Sequence, residues 1–136
     1  MYQTGVQRQF TARHYLVGDF GAETTPHTHQ YLVEWIRTSD KLDENGFSTD
    51  IAAMEAAIEE ELSRIDDQLL NDMPWFAGKQ TSLENVCRFL WENLEENLRR
   101  RLGGVAENDS GRSRIRIWEN NSAWASYDPA LSQPAV

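Results

Sequence analysis

Two helix-patterned stretches in the middle of the chain, with strand-patterned stretches on either side, constrain the fold more than anything else in this sequence. Asp50 reads as an N-cap. Behind it Ile51, Met54, Ile58, Leu62 and Ile65 recur at helical spacing and mark one apolar face. Pro74 and Gly78 break the connection that follows. A second helix is predicted to begin near Thr81, where Thr81-Ser82-Leu83-Glu84 fits a capping box. Its stripe is Val86, Phe89, Leu90, Leu94, Leu98 and Leu102. Arg99, Arg100 and Arg101 complement the helix dipole in the last turn, and Gly103-Gly104 ends it. Ahead of the helices, residues 6–16 partly alternate apolar and polar, 17–26 read as a loop around Gly18, Gly21 and Pro26, and 28–38 are rich in strand formers. After them come a polar loop over 107–112, a strand over 113–119, a tight turn at Asn120-Asn121 and a strand over 122–127. The order is β-β-α-α-β-β. An amphipathic helix must bury its stripe on another layer. The expected class is therefore α+β, a four-stranded antiparallel sheet with both helices on one face.

The 136 residues suit one domain, placed at 1–128 with a loose C-terminal tail over 129–136. A chain this short buries a modest core and is often stabilised by assembly with its own copies. The net charge of −9 argues against nucleic acid and against an anionic membrane surface, both of which need a surplus of Lys and Arg. The longest apolar runs are too short to span a bilayer. Cys87 is the single cysteine, which excludes an internal disulfide, and the N-terminal residues have no apolar stretch of signal type. These points predict a cytoplasmic location.

The chain has only three histidines, His14, His27 and His29. His27 and His29 are two apart, so on a strand they share a face. His14 lies near the end of the preceding strand, and consecutive strands usually neighbour each other. An isolated His-x-His is more often a pair of ordinary half-exposed residues. Three imidazoles converging with one position open is the pattern of a catalytic zinc site.

The surroundings of these histidines carry a likeness. Phe10-x-Ala12-x-His14, a loop, then His27-x-His29 resembles the 6-pyruvoyl-tetrahydropterin synthase and 6-carboxy-tetrahydropterin synthase family. Leu42-Asp43-x-x-Gly46-Phe47-x-x-Asp50 is similar to that family's turn into the first helix, and Ile65-Asp66-Asp67-x-x-Leu70-Asn71 to its Leu-Asp-His-x-x-Leu-Asn segment. Ser82-x-Glu84-Asn85 is similar to its Thr-x-Glu-Asn helix start, and Trp118-Glu119 to the strand that bears its pterin-anchoring Glu. Each motif is weak alone; five in order at compatible spacing are strong. The resemblance implies a T-fold and ring-like homo-hexamers, each a dimer of trimers, with active sites at subunit interfaces. It implies Zn2+ on His14, His27 and His29. That ion would hold and polarise the hydroxylated side chain of a small-molecule pterin such as dihydroneopterin triphosphate.

The departures from the pattern concern the chemistry. Common members have a Cys four residues before the first His of a His-Gly-His; here that position is Glu23, and the middle residue is Thr28. The family's catalytic His after the Asp is here Asp67. The Cys–Asp–His set thus reads Glu23, Asp66 and Asp67. The exchange to Glu resembles the family variant that cleaves the pterin side chain to give 6-hydroxymethyl-dihydropterin. A carboxylate beside zinc can act as a base on a hydroxyl. Asp66 and Asp67 could share a proton, or be a remnant; the sequence leaves both open. Glu119 is the residue expected to bind the pterin ring. Glu84 and Ser82 could contact it or serve only to cap the helix. Arg8 and Arg13 flank the histidine strand and could meet a phosphate. The expected function is a zinc-dependent, side-chain-cleaving lyase acting on a reduced pterin. The alternative is a homologue that binds a pterin or purine without the family reaction.

Overall fold

A 13-residue strand β1 (Tyr2–His14) and a 13-residue strand β2 (His27–Ser39) pair antiparallel along their whole length, from Tyr2 opposite Ser39 to His14 opposite His27. A computed structural model of the chain describes these and the rest of residues 1–103 and 111–132. Helix α1 (Ile51–Ile65), the short strand β3 (Gln68–Leu69) and helix α2 (Leu83–Arg101) follow, then β4 (Arg112–Trp118) and β5 (Trp124–Tyr127). The strands lie in the order β3-β1-β2-β4-β5. The four longer strands are antiparallel neighbours, as expected. The sheet nevertheless has five strands, because β3 pairs parallel with Ala12 and Arg13 of β1. Two residues are too few to show a period, so this strand leaves no trace in the sequence pattern.

Both helices pack on one face of the sheet, α1 over β1 and α2 over β4 and β5, and they touch each other. That face carries Phe10 and Ala12, then Tyr31, Val33 and Trp35, then Ile115 and Ile117, all buried. Alternate residues of one strand point the same way, which is why these positions step by two. In α1 the buried residues are Met54, Ala57, Ile58, Glu61, Leu62 and Ile65, and in α2 Val86, Cys87, Phe89, Leu90, Leu94, Asn97 and Leu98. The ends of the expected stripes do not hold. Ile51 and Leu102 stand exposed, at the first helical residue and just past the last turn, where the stripe overruns the packed surface. Cys87 is buried, as a small residue of α2 should be, and its thiol pKa is pushed up to about 12 by burial.

The helix starts differ in how well they were read. The Asp50 carboxylate accepts from the Ala53 N–H at 3.1 Å, the expected cap. At α2 the cap is one residue later than the capping box suggested. Ser82, not Thr81, accepts from the Asn85 N–H, at 3.3 Å. Thr81 is thereby left free to turn inward, where it is completely buried. The β4–β5 connection is also wider than a two-residue turn. The Asn120 carboxamide oxygen accepts from the N–H groups of Ser122 and Ala123, and Glu119 lies just past β4 with its N–H on the Ala123 carbonyl. Residues Pro129–Ser132, the start of the expected loose tail, form a short 3-10 turn. The rest of that tail, 133–136, and most of the predicted 107–112 loop lie outside the described residues. Among the described residues, no helix is long and apolar enough to cross a membrane.

Candidate metal centre

The β1–β2 register decides where the histidines go. His14 and His27 are directly opposed, and His29 is opposed to Ala12, so all three side chains share the helix-covered face at one end of the sheet. The alanine puts no bulk across from His29. The rings approach closely: centroids are 4.5 Å apart for His14 and His27, 4.8 Å for His27 and His29, and 5.2 Å for His14 and His29.

The tautomers follow from the neighbours. His14 Nδ1 lies 2.8 Å from the Thr81 carbonyl oxygen, and His27 Nδ1 lies 2.7 Å from that of Thr25. A carbonyl only accepts, so each Nδ1 must carry a proton, and in the neutral ring the Nε2 then carries the lone pair. The Nε2 atoms of His14, His27 and His29 are all buried and none makes a hydrogen bond. His14 is itself 4% exposed. Burial holds its pKa below the ordinary value, outweighing the Thr81 bond, and the other two imidazoles push it the same way. His14 is therefore neutral near pH 7, the form that binds a metal.

Glu23 completes the group. It sits in a 3-10 turn, Gly21–Thr24, that the chain enters after Gly18. Its Oε2 is 3.0 Å from His27 Nε2, a contact without hydrogen-bond alignment. One ligand atom from each of His14, Glu23, His27 and His29 falls within 4.8 Å of all the others. Three buried, unpartnered imidazole nitrogens and a carboxylate fit a divalent cation of the kind bound by imidazole and carboxylate together. Without a cation, three buried ring nitrogens would go unsatisfied, which buried polar atoms rarely do.

The other residues singled out in the sequence lie outside this group. Asp66 is the residue after α1, and its carboxylate accepts from the Thr11 N–H of β1 at 2.9 Å. Asp67 has a left-handed backbone, φ 60°, and its N–H donates to the Thr11 carbonyl at 2.6 Å. The two acids are thus tied to the edge of β1. Ser82 spends its oxygen on the α2 cap, and Glu84 lies in the first turn of that helix. Glu119 also lies outside this group, and its charge is felt by Tyr31. That buried phenol has its pKa raised by burial first, then by the charges of Glu119 and Glu23. Tyr31 stacks on Phe10 and tilts against His29. Sequence reasoning did not single out Tyr31 or Thr25 for the site, and it read Thr81 only as a helix cap. The carbonyls of the two threonines carry no sequence signal at all, and Tyr31 read only as a strand former.

The fold and this site together define a T-fold protein with a histidine-rich centre at the end of its longest hairpin. The family model described as 6-pyruvoyl tetrahydropterin synthase matches residues 4–130, and the chain belongs to that family. The structure of Caenorhabditis elegans 6-pyruvoyl tetrahydropterin synthase superposes with a TM-score of 0.76 at 20% identity, covering 93% of this chain and 94% of that one. Plasmodium vivax 6-pyruvoyltetrahydropterin synthase, in a form whose glutamate catalytic residue is exchanged for alanine, gives 0.75 at 15% identity over 93% and 96%. The Plasmodium falciparum enzyme gives 0.75 at 14% over the same shares. At such identities the likeness speaks for the fold. No curated protein matches the chain in sequence.

Proposed function

We propose that this protein is a zinc-dependent enzyme that cleaves a carbon–carbon bond in the side chain of a reduced pterin of the dihydroneopterin triphosphate kind. The observation that carries the reading is the placement of Glu23 against three imidazoles whose buried Nε2 atoms make no hydrogen bond. The Plasmodium vivax relative also has a glutamate as a catalytic residue, which supports giving Glu23 that role.

His14, His27 and His29 would hold the ion through Nε2, while the Thr81 and Thr25 carbonyls keep the protons of His14 and His27 on Nδ1. The bound zinc supplies Lewis acidity, which makes a neighbouring side-chain hydroxyl easier to deprotonate. Glu23 then takes that hydroxyl proton. The oxygen's electron pair closes a carbonyl and the adjacent C–C bond breaks. Its electrons pass to the exocyclic carbon conjugated with the ring C=N. A proton returned to that carbon gives a 6-hydroxymethyl-type dihydropterin, and an aldehyde leaves. Glu119 would anchor the ring, accepting two parallel N–H bonds from the 2-amino group and the adjacent ring N–H. Ser82 and Glu84, at the start of α2, are secondary candidates for ring contact. Asp66 and Asp67 lie outside the histidine group of their own chain. Proton movement by them would act across a subunit interface, in the hexameric ring that the family resemblance implies. A cytoplasmic location belongs to the same reading.

A second reading, binding of a pterin or purine without turnover, is favoured by one observation: the Asp66 carboxylate is already occupied by the Thr11 N–H. The test is to load the purified protein with zinc, incubate it with dihydroneopterin triphosphate and identify the products by mass spectrometry. A 6-hydroxymethyl product supports the lyase. Pterin bound without conversion, with zinc confirmed present, overturns it in favour of the second reading. Light scattering on the same sample checks the hexamer.

A further inference from the structure

The turn that bears Glu23 buries none of its residues, so packing does not fix where its carboxylate sits. Hydrogen bonds must, and they converge on a tripeptide just beyond β1. Tyr15, Leu16 and Val17 continue the chain past His14 with no strand beside them on either side. Their backbone groups are nevertheless taken up, and in the alternating directions of a strand. On one side the Asn71 carboxamide accepts from the Tyr15 N–H at 3.0 Å and donates to the Tyr15 carbonyl at 2.9 Å. Two residues on, the Gln80 carboxamide accepts from the Val17 N–H at 2.9 Å and donates to the Val17 carbonyl at 2.8 Å. On the other side the Leu16 N–H donates to the carbonyl of Glu23 at 2.8 Å.

A primary carboxamide presents the same donor and acceptor as a peptide group. Two of them, spaced two residues apart along the segment, do the work of a missing strand. Both are firmly based. The Gln80 carbonyl takes the Asn85 side-chain N–H at 2.9 Å, and the Thr81 hydroxyl bonds the Tyr15 carbonyl at 3.0 Å and approaches Asn71 Oδ1 at 3.4 Å. After Val17 the chain swings away at Gly18, φ +130°, where an added Cβ would come within 2.7 Å of the Phe20 ring. The register of Glu23 relative to His14 is thus set through residues 15–17.

We propose that Asn71 and Gln80 are positioning residues that hold Glu23 against the three histidines, acting through the backbone of residues 15–17. The proposal rests on the reading of this group as a metal centre served by Glu23. A conservative length change should not be tolerated, because the paired bonds require both the carboxamide and its reach.

The experiment compares Gln80→Ala, Asn71→Asp, Glu23→Gln and the double variant Gln80→Ala/Glu23→Gln by two readouts: zinc affinity from chelator competition, and amide hydrogen exchange on the metal-free protein. Asn71→Asp keeps the size of the side chain and replaces its donor with an acceptor, so it guards against simple unfolding. Each single variant should bind zinc about 10-fold more weakly, in the range of changes behind the direct ligands. The double variant should bind no more weakly than Glu23→Gln alone, since a clamp that acts through Glu23 has nothing left to position. In the metal-free Gln80→Ala protein the Leu16 amide should exchange faster while the Leu90 and Leu94 amides of α2 keep their protection. Zinc affinity equal to wild type, an effect that adds in full to that of Glu23→Gln, or parallel loss of protection in α2 would each overturn the proposal. If the wild-type protein itself takes up no zinc, the metal reading fails. The Leu16 exchange then decides the clamp alone, and an unchanged rate in Gln80→Ala overturns it.

Discussion

The helix-covered face of β2 has polar atoms buried at both ends, and the two ends are finished in different ways. At the C-terminal end Arg37, 3% exposed, donates through Nη1 to Glu95 at 2.9 Å and to the Ser113 hydroxyl at 3.3 Å. The Trp35 indole N–H also reaches the Ser113 hydroxyl, at 2.9 Å, and that hydroxyl bonds Glu95. Arg37 Nη1 and the Trp35 indole find acceptors there within the chain, although Arg37 Nε makes no hydrogen bond. At the N-terminal end the Nε2 atoms of His14, His27 and His29 are buried together and none makes a hydrogen bond. Paired donors and acceptors hold a fold together, whereas a cluster of unpartnered ring nitrogens beside a carboxylate is suited to a cation.

The largest expected effect that tests this contrast is on turnover. Glu23→Gln should lower product formation by about 10²–10⁴-fold, the usual scale for a lost general base, while circular dichroism stays unchanged. Next, His29→Ala should weaken zinc uptake by more than about 100-fold, beyond what a change behind the ligands produces. The thermal midpoint of the metal-free protein should move little, because no hydrogen bond through that ring's Nε2 is lost. The Arg37 end should behave the other way round. Glu95→Ala removes a carboxylate acceptor of the buried Arg37 guanidinium. It should cost about 2 kcal/mol in urea unfolding, below the range for a fully buried pair because the Glu95 side chain is 28% exposed. Its zinc affinity should equal wild type. If Glu95→Ala impaired zinc binding, the two ends would be coupled and the contrast would fail. A smaller loss, about 1 kcal/mol, is expected for Ser82→Ala at the α2 cap, and Thr81→Ala should not reproduce it by the same route.

The smallest effect is on pH. Burial keeps the folded-state pKa of His14 below its unfolded value of 6.5. The unfolded chain therefore binds more protons over the interval between the two values, and stability of the metal-free protein rises with pH there. The contribution is constant above about pH 6.5, falls as pH drops through that interval and levels off below the folded value. Urea midpoints at pH 7.5 and 5.5 should show the drop, and it should shrink in His14→Gln.

Legibility varied with the kind of interaction. The Asp50 cap, the apolar stripe of each helix between its ends and the four long strands were readable, because each is encoded by a local period or a cap residue, whereas buried Glu61 and Asn97, which bond each other, lie outside the apolar period. Strand ends were less so: β1 begins at Tyr2 rather than at residue 6, since its first residues pair with β2 but bury little. Thr81 looked like the cap because its neighbour Ser82 is chemically equivalent. Only packing assigned Ser82 to the helix and Thr81 to His14.

For the histidines, the sequence by itself determined that His27 and His29 share a face and that His14 stands at the end of the strand before them. It also determined that the residue four before His27 is a glutamate. Those follow from strand period and spacing, which are properties of the chain. Tertiary structure decided the rest. The β1–β2 register put His14 across from His27. The carbonyls of Thr81 and Thr25 set the tautomers of two rings, and the amide clamps on residues 15–17 brought in Glu23. None of these could be read in advance, because each depends on backbone groups, identical in every residue, meeting partners up to 67 positions away.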